Sequence, residues 1–169
     1  MSDTASPDLP PSFEPTSLSP DAIAEALGST EWGQGLSPAD LATLAGFFRS
    51  YRATHRATLF SEGESGTFMA VLVSGVLRVY KRDFYGEERA LSSVEPGSTF
   101  GEMSFLDAQP RSASLRVAEE AAILVLTRSG WQAIVDQNPR LAVSLLQQMV
   151  RTLSGRLRRL SDLSVQHLI

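Results

Sequence analysis

Two side chains with complementary chemistry stand close together in one short segment of this 169-residue chain. Glu102, when ionised, only accepts hydrogen bonds, which suits a sugar hydroxyl such as a ribose 2′-OH. Arg111 carries a planar fork of donors that matches the oxygens of a phosphate. Gly101 precedes the carboxylate, and because it has no Cβ, backbone amides can approach a bound anion closely. One acceptor for a sugar and one cation for a phosphate indicate a nucleotide site.

The composition excludes several other kinds of site. The chain has no cysteine and only two histidines, so disulfides, thiolate metal sites and a histidine-rich metal cluster are excluded. The formal net charge of −4 disfavours nucleic acid as the main partner. No nucleophile–base pair can be identified, so we predict that the protein is not an enzyme and uses no metal or cofactor.

The N-terminal residues predict neither a secretory signal nor a membrane anchor. They contain acidic and proline residues instead of an apolar run, and no stretch of the chain reaches the length of a membrane span. We therefore predict a cytoplasmic protein that does not enter the membrane. Residues 1–19 are rich in proline, serine and aspartate, which predicts a disordered tail.

Capping signals predict helices on both sides of a central β region. Ser19-Pro20 begins a short helix, which with its linker occupies residues 20–36. Ser37-Pro38 begins a second helix, which we expect to end between residues 50 and 53. Thr127 caps another helix, and Asn138-Pro139 begins a long one that reaches Leu163 or beyond.

Short runs of β-type residues alternate with turn residues in the central region. The main predicted strands are 67–73, 76–81, 89–94, 113–117 and 122–126, with turns at 74–75, 83–86 and 95–97. Such regular spacing is typical of a sandwich or barrel. The predicted organisation is thus a tail, a helix with linker, a β domain with flanking helices over 37–137, and a C-terminal helix over 138–169.

The chain resembles the cyclic nucleotide-binding domain family, found in catabolite activator and FNR-type regulators, cyclic nucleotide-dependent protein kinases and cyclic nucleotide-gated channels. The resemblance covers residues from roughly 37 to 164 and rests on Gly63, Gly75, Gly97, Gly101-Glu102 and Pro110-Arg111-Ser112-Ala113. It implies a mainly β fold with flanking helices: an eight-stranded, jelly-roll-like β-roll with N-terminal helices and a long C-terminal helix.

The resemblance also implies roles for individual residues. Glu102 would hold the ribose 2′-OH, Arg111 would pair with the cyclic phosphate, and Ser112 would add a hydroxyl or an amide. The candidate ligand-binding residues are therefore Gly101, Glu102, Met103, Ser104, Arg111, Ser112 and Ala113. The implied ligand is cyclic AMP, or alternatively cyclic GMP.

The C-terminal helix departs from the bacterial activators, whose hydroxyl side chains contact the adenine at this place. Here Arg156 occupies such a position, so it is a further candidate, which could stack on a purine. The alternative is a solvated arginine beside a dimer seam. The identity of the base therefore stays open.

Apolar residues recur along the same helix at alternating spacings of three and four, which favours a parallel homodimer. The predicted seam comprises Val143, Leu146, Val150, Leu153, Leu157 and Leu160. The alternative is packing against the chain's own β domain, which we expect of Leu145 and Met149. The activators continue beyond this helix into a helix-turn-helix, whereas this sequence ends at Ile169.

If the sequence is complete, it predicts a stand-alone receptor without a DNA-binding domain. Its output would be a ligand-dependent conformational change that an effector protein recognises. The alternatives are a non-sensing dimeric scaffold and a truncated transcription regulator.

Overall fold

The computed structural model describes residues 9–166, with side chains as far as Leu163. Its helices are α1 (Pro20–Gly28), α2 (Pro38–Ala45), α3 (Glu102–Asp107), α4 (Arg128–Gln137) and α5 (Pro139–Gln166). Its strands are β1 (Phe13–Thr16), β2 (Arg49–Ala53), β3 (Thr58–Phe60), β4 (Phe68–Arg82), β5 (Glu88–Val94), β6 (Thr99–Phe100) and β7 (Ser114–Thr127).

The strands form one antiparallel sheet in the order β1-β2-β7-β4-β5, with β3 added on β7 and β6 on β4. β4 and β7 are its centre and pair from Phe68 opposite Thr127 to Tyr80 opposite Ser114. Register shifts in this pair add local bends, which favour a curled sheet. One core cluster lies among the strands, and a second lies between the sheet and the helices. The predicted fold class, a mainly β roll with flanking helices, is confirmed.

Two strand breaks predicted from the sequence are absent. β4 continues through the predicted turn at 74–75, and β7 joins the predicted strands 113–117 and 122–126. Gly75 has a φ of 86°, and a Cβ there would overlap the carbonyl oxygen of Glu120. Glycine therefore permits close contact between β4 and β7 where their register shifts. The described residues consequently form seven strands, where the resemblance implied eight.

The predicted helix starts are confirmed by their caps. The Ser19 hydroxyl accepts from the amide of Ala22, and the Thr127 hydroxyl accepts from Gly130. Ser37 likewise caps α2. The predicted end of α2 at residues 50–53 is wrong, because the helix ends at Ala45 and β2 pairs with β7 from Arg49 onward. In this segment, pairing of β2 with β7 outweighs the tendency of the preceding residues to continue the helix.

The prediction of disorder over residues 1–19 is wrong for β1. Phe13 is 4% exposed and packs in the core among the strands, while Phe13–Thr16 pairs with β2. The average composition of the segment does not reveal the stabilisation that one buried aromatic residue and a strand ladder contribute. Residues 1–8 lie outside the described part of the chain.

The long helix α5 begins at Pro139, as predicted. Leu145 and Met149 pack on the domain, also as predicted. They are buried, together with Leu141 and Ala142, in the core cluster between the sheet and the helices. This packing holds the N-terminal half of α5 on the domain, and Arg156 in its C-terminal half contacts Thr99 of β6 and Glu102 of α3. Among the described residues, none of the helices is both long and apolar enough to cross a bilayer.

Candidate functional site

A tight connection between β6 and β7 positions the predicted site. β6 ends at Phe100, Gly101 turns the chain with a φ of 77°, and α3 begins at Glu102. Ala108, which follows the last residue of α3, also has a left-handed backbone, with a φ of 57°. Because both ends of α3 bend the chain sharply, the connection returns to the same place, and Glu102 and Arg111 line one cavity.

Arg111 is almost completely enclosed, at 3% exposure. Its Nη1 donates to the carbonyl of Gly101 and to the hydroxyl of Ser104, at 2.9 Å each. Its Nη2 donates to the carbonyl of Phe68 at 2.8 Å. The guanidinium also lies 4.2 Å from the ring centroid of Phe60 and 4.8 Å from that of Phe68, within the range of cation–π attraction. These contacts fix the direction of the side chain.

The charge of Arg111 has no ion-pair partner among the described residues. Its buried Nε has no hydrogen-bond partner there either. Burial lowers the pKa of the guanidinium to about 10, so it remains protonated at neutral pH. Since a buried charge is normally paired, this arginine is suited to bind an anion.

Glu102 is also buried, at 3% exposure, and α5 supplies its counter-charge. Nη1 of Arg156 donates to Oε1 of Glu102. Burial raises the pKa of the Glu102 carboxyl above its ordinary value, and the charge of Arg156 opposes that rise. The site therefore contains an enclosed carboxylate close to the cavity wall and an enclosed guanidinium facing the same space.

All the predicted ligand-binding residues line one cavity of about 520 Å³: Gly101, Glu102, Met103, Ser104, Arg111, Ser112, Ala113 and Arg156. Val79 of β4 and residues 92–94 of β5 form the opposite wall. Arg159, Leu160 and Leu163 line it from α5. The predicted residues are thus brought together, and Arg156 faces the cavity instead of being a fully solvated arginine.

Sequence reasoning missed several residues that shape this site. Phe60 and Phe68 carry no recognisable signal, because each becomes a support for Arg111 only through sheet pairing. Gly66 is another such residue, because a Cβ there would lie 2.7 Å from Cβ of Ser104 and 3.2 Å from Cζ of Arg111. Only the tertiary structure reveals that these positions are constrained.

Lys81 is a further residue that sequence reasoning missed. Its Nζ donates to the carbonyl of Ser112 at 2.6 Å and to Oε1 of Glu62 at 2.8 Å. These contacts tie the segment after Arg111 to β4, so they restrain one wall of the cavity.

The chain is similar to a known protein family and to several known proteins. A family model described as "Cyclic nucleotide-binding domain" matches residues 48–138. The "Cyclic AMP receptor protein" of Thermus thermophilus is 31% identical over 119 residues, which are 70% of this chain and 55% of that protein. A "CRP-like cAMP-activated global transcriptional regulator" of Mycobacterium tuberculosis is 28% identical over 76% of this chain and 56% of its own length.

The chain thus spans a little over half the length of these curated relatives. Among solved structures, a cyclic nucleotide-binding domain from Methylobacillus flagellatus superposes with a TM-score of 0.81 at 23% identity. That match covers 90% of this chain and 87% of the other, and it shows the likeness of fold.

Proposed function

The chain belongs to the cyclic nucleotide-binding domain family, and on that premise we propose that it is a cyclic nucleotide receptor, with cyclic AMP favoured and cyclic GMP the alternative. The observation that carries the proposal is Arg111, a buried cation without an ion-pair partner in the described chain, facing the cavity that also holds Glu102. The names of the relatives from Thermus thermophilus and Mycobacterium tuberculosis favour cyclic AMP.

In this proposal the cyclic phosphate binds Arg111, with additional donors from Ser112 and Ala113. The segment from Gly101 to Ser104 contributes backbone amides, because the first amides of a helix lack intrahelical acceptors. Glu102 accepts the ribose 2′-OH. The residues of α5 that line the cavity then lie beside the base, and the ligand is bound without being converted.

Isothermal titration with cyclic AMP, cyclic GMP and cyclic di-GMP tests this function. We expect one mononucleotide to bind, and its identity would name the signal. If none of the three ligands binds, the receptor proposal is wrong, and the dimeric scaffold becomes the better account of the chain.

We further propose that the ligand acts by changing the angle or order of α5 and that an effector protein recognises the result. The support is that α5 reaches the cavity directly, through Arg156 and Arg159. A ligand shifts this equilibrium only by its differential affinity for the two arrangements. Limited proteolysis with and without nucleotide measures this shift. In a non-sensing scaffold, α5 would be cleaved at the same rate in both conditions.

A second part of the proposal is a parallel homodimer through α5. Val143, Val150 and Leu157 are 55%, 59% and 65% exposed, and Leu146 is 37% exposed. They form one stripe beside the residues that pack on the domain. A helix that keeps such an apolar stripe in solvent is suited to pair with an identical helix.

Replacing Val150 with glutamate should dissociate this dimer. Two charges would meet in the symmetric seam, and we expect the dimer dissociation constant to rise by about tenfold or more. Sedimentation over a range of concentrations measures the effect.

The matched control is Gln147→Glu, which adds the same charge at an exposed position that flanks the seam, where glutamate is common in coiled coils. With this control, the mass of the sedimenting species should remain that of the wild-type dimer. A wild-type protein that sediments as a monomer at every concentration would contradict the dimer.

A further inference from the structure

Arg128, the first residue of α4, joins two backbone segments that lie far apart in the sequence. Its Nη2 donates to the carbonyl of Gly66 at 3.2 Å, in the β3–β4 connection, and to the carbonyl of Ser104 at 3.0 Å, in α3. Its guanidinium also lies 5.2 Å from the ring centroid of Phe105, which is buried. The backbone amide of Arg128 donates to the carbonyl of Thr67 at 3.2 Å. One residue is therefore attached to both segments at once.

Both of these segments contact the guanidinium of Arg111. The hydroxyl of Ser104 accepts from Nη1 of Arg111 at 2.9 Å. A Cβ on Gly66 would lie 3.2 Å from Cζ of Arg111, so the backbone at Gly66 packs closely against the guanidinium. Arg128 does not itself line the cavity. Its effect on a ligand would therefore be transmitted through these two segments.

The position of Arg128 gives no advantage to its own helix. The N-terminus of a helix carries a partial positive charge, which disfavours a cation in the first turn. None of the ion pairs among the described residues includes Arg128. Burial is the main cause of the lowered pKa of Arg111, and the like charge of Arg128 acts in the same direction. The two carbonyl contacts, rather than stabilisation of α4, account for an arginine at this position.

We propose that Arg128 is a positioning residue for the phosphate: its two backbone contacts fix the segments that orient the guanidinium of Arg111. The inference rests on the proposed function. Three hydrogen bonds to protein acceptors use Nη1 and Nη2 of Arg111, whereas its buried Nε has no partner in the described structure. The donors left for a phosphate thus lie on a defined side of the guanidinium. Their direction depends on Gly66 and Ser104 staying in place.

The test uses cyclic AMP, or cyclic GMP if that is the ligand, in which sulfur replaces one of the two exocyclic oxygens of the phosphate. The two diastereomers place the sulfur differently, and sulfur is a weak acceptor, so a fixed guanidinium binds them unequally. In the wild type we expect the two affinities, measured by isothermal titration, to differ by about tenfold or more. In Arg128→Gln the ratio should fall to within about threefold.

Two outcomes of this titration overturn the inference. A merely structural role for Arg128 would weaken both diastereomers equally, so the ratio in Arg128→Gln would stay at the wild-type value. A wild-type ratio near one would mean that the guanidinium of Arg111 is not held in a fixed direction.

The sugar of the ligand supplies an internal comparison. The ratio of affinities for the ribose ligand and its 2′-deoxy form should depend on Glu102, and the contacts of Arg128 are with other residues. That ratio should be the same in the wild type and in Arg128→Gln. If the sugar ratio and the phosphorothioate ratio fall together, Arg128 maintains the cavity as a whole and the inference is wrong.

The matched control is Arg140→Gln, which removes an exposed arginine from the first turn of α5. It changes the charge at a helix N-terminus in the same way, at a residue that does not line the cavity. Both ratios should stay at their wild-type values. Thermal unfolding without ligand shows whether each variant is folded.

A conservative variant should rescue the effect. A single nitrogen of Arg128 makes both carbonyl contacts, and a lysine ammonium has three donors on one nitrogen. Arg128→Lys should therefore restore most of the phosphorothioate ratio.

A ligand-free readout separates this inference from the proposed function. The Nε–H signal of Arg111, assigned in ¹H–¹⁵N spectra by its loss in Arg111→Lys, should exchange with water about tenfold faster or more in Arg128→Gln, because the segments around it open more often. Equal exchange rates overturn the inference even if nucleotide binds. If the wild type binds no cyclic nucleotide, the proposed function fails, and the exchange rates alone decide whether Arg128 holds Arg111. Should Arg128→Gln fail to fold, Arg128→Met, which keeps an aliphatic stem beside Phe105, is measured in the same way and judged by the same criteria.

Discussion

Replacing Arg111 with alanine should lower the affinity for the cyclic nucleotide by about tenfold or more. The side chain is the buried cation of the cavity and has no ion-pair partner among the described residues, so the phosphate would lose its charged donor. Isothermal titration with the ligand that binds the wild type measures the loss. Arg111→Lys keeps the charge but loses the planar fork, so its affinity should be intermediate.

A matched control for this change is Arg116→Ala. Arg116 lies nearby on β7, outside the cavity, where it pairs with Glu88 through both terminal nitrogens. Its removal should change affinity by less than about twofold, because an exposed ion pair contributes little. Thermal unfolding without ligand shows whether each variant is folded. Equal affinities of the wild type and a folded Arg111→Ala protein would refute the proposed phosphate site.

Replacing Gly101 with alanine should impair both folding and binding. The residue has a φ of 77°, and a Cβ there would lie 2.7 Å from Nη1 of Arg111 and 3.3 Å from the carbonyl oxygen of Phe68. The left-handed backbone alone costs about 1–2 kcal/mol with a Cβ present. Arg111 would in addition have to move, so we expect an affinity loss of about tenfold or more.

The chain provides a close control for this change in Gly86. That glycine has a φ of 83° at the β4–β5 hairpin, and a Cβ there would meet nothing within 4 Å. Gly86→Ala should therefore show the backbone cost in a denaturation experiment while leaving nucleotide affinity unchanged. If both variants bind like the wild type, the contact between Gly101 and Arg111 does not matter for binding.

Local signals in the sequence predicted the element starts well. Ser19, Ser37 and Thr127 each cap the predicted helix, because an N-cap depends on a side chain and an amide only two or three residues apart. The hairpin at residues 83–86 is also confirmed, with Gly86 at a positive φ. Such features are decided within one turn of chain, so neighbouring residues suffice to predict them.

Strand ends and the N-terminal strand were harder to predict, because they depend on pairing partners. The sequence around Gly75 looks like a turn, but β7 lies alongside and β4 continues past it. Phe13 stands in a proline-rich segment, and only the adjacent β2 and the core make it part of the sheet. No local pattern carries this information, since both partners are distant along the chain.

By itself the sequence predicted the family, the fold class and eight of the residues that line the cavity. Residue type and spacing were enough for these, because the capacity to bind is a property of the residue type: a carboxylate accepts hydrogen bonds, a guanidinium donates them, and glycine has no Cβ. The tertiary structure decided the state of those groups. Only folding packs the guanidinium of Arg111 against two aromatic rings and brings Arg156 of α5 to Glu102. Burial and long-range pairing depend on which elements pack together, and so they set the charge, direction and coupling of the site.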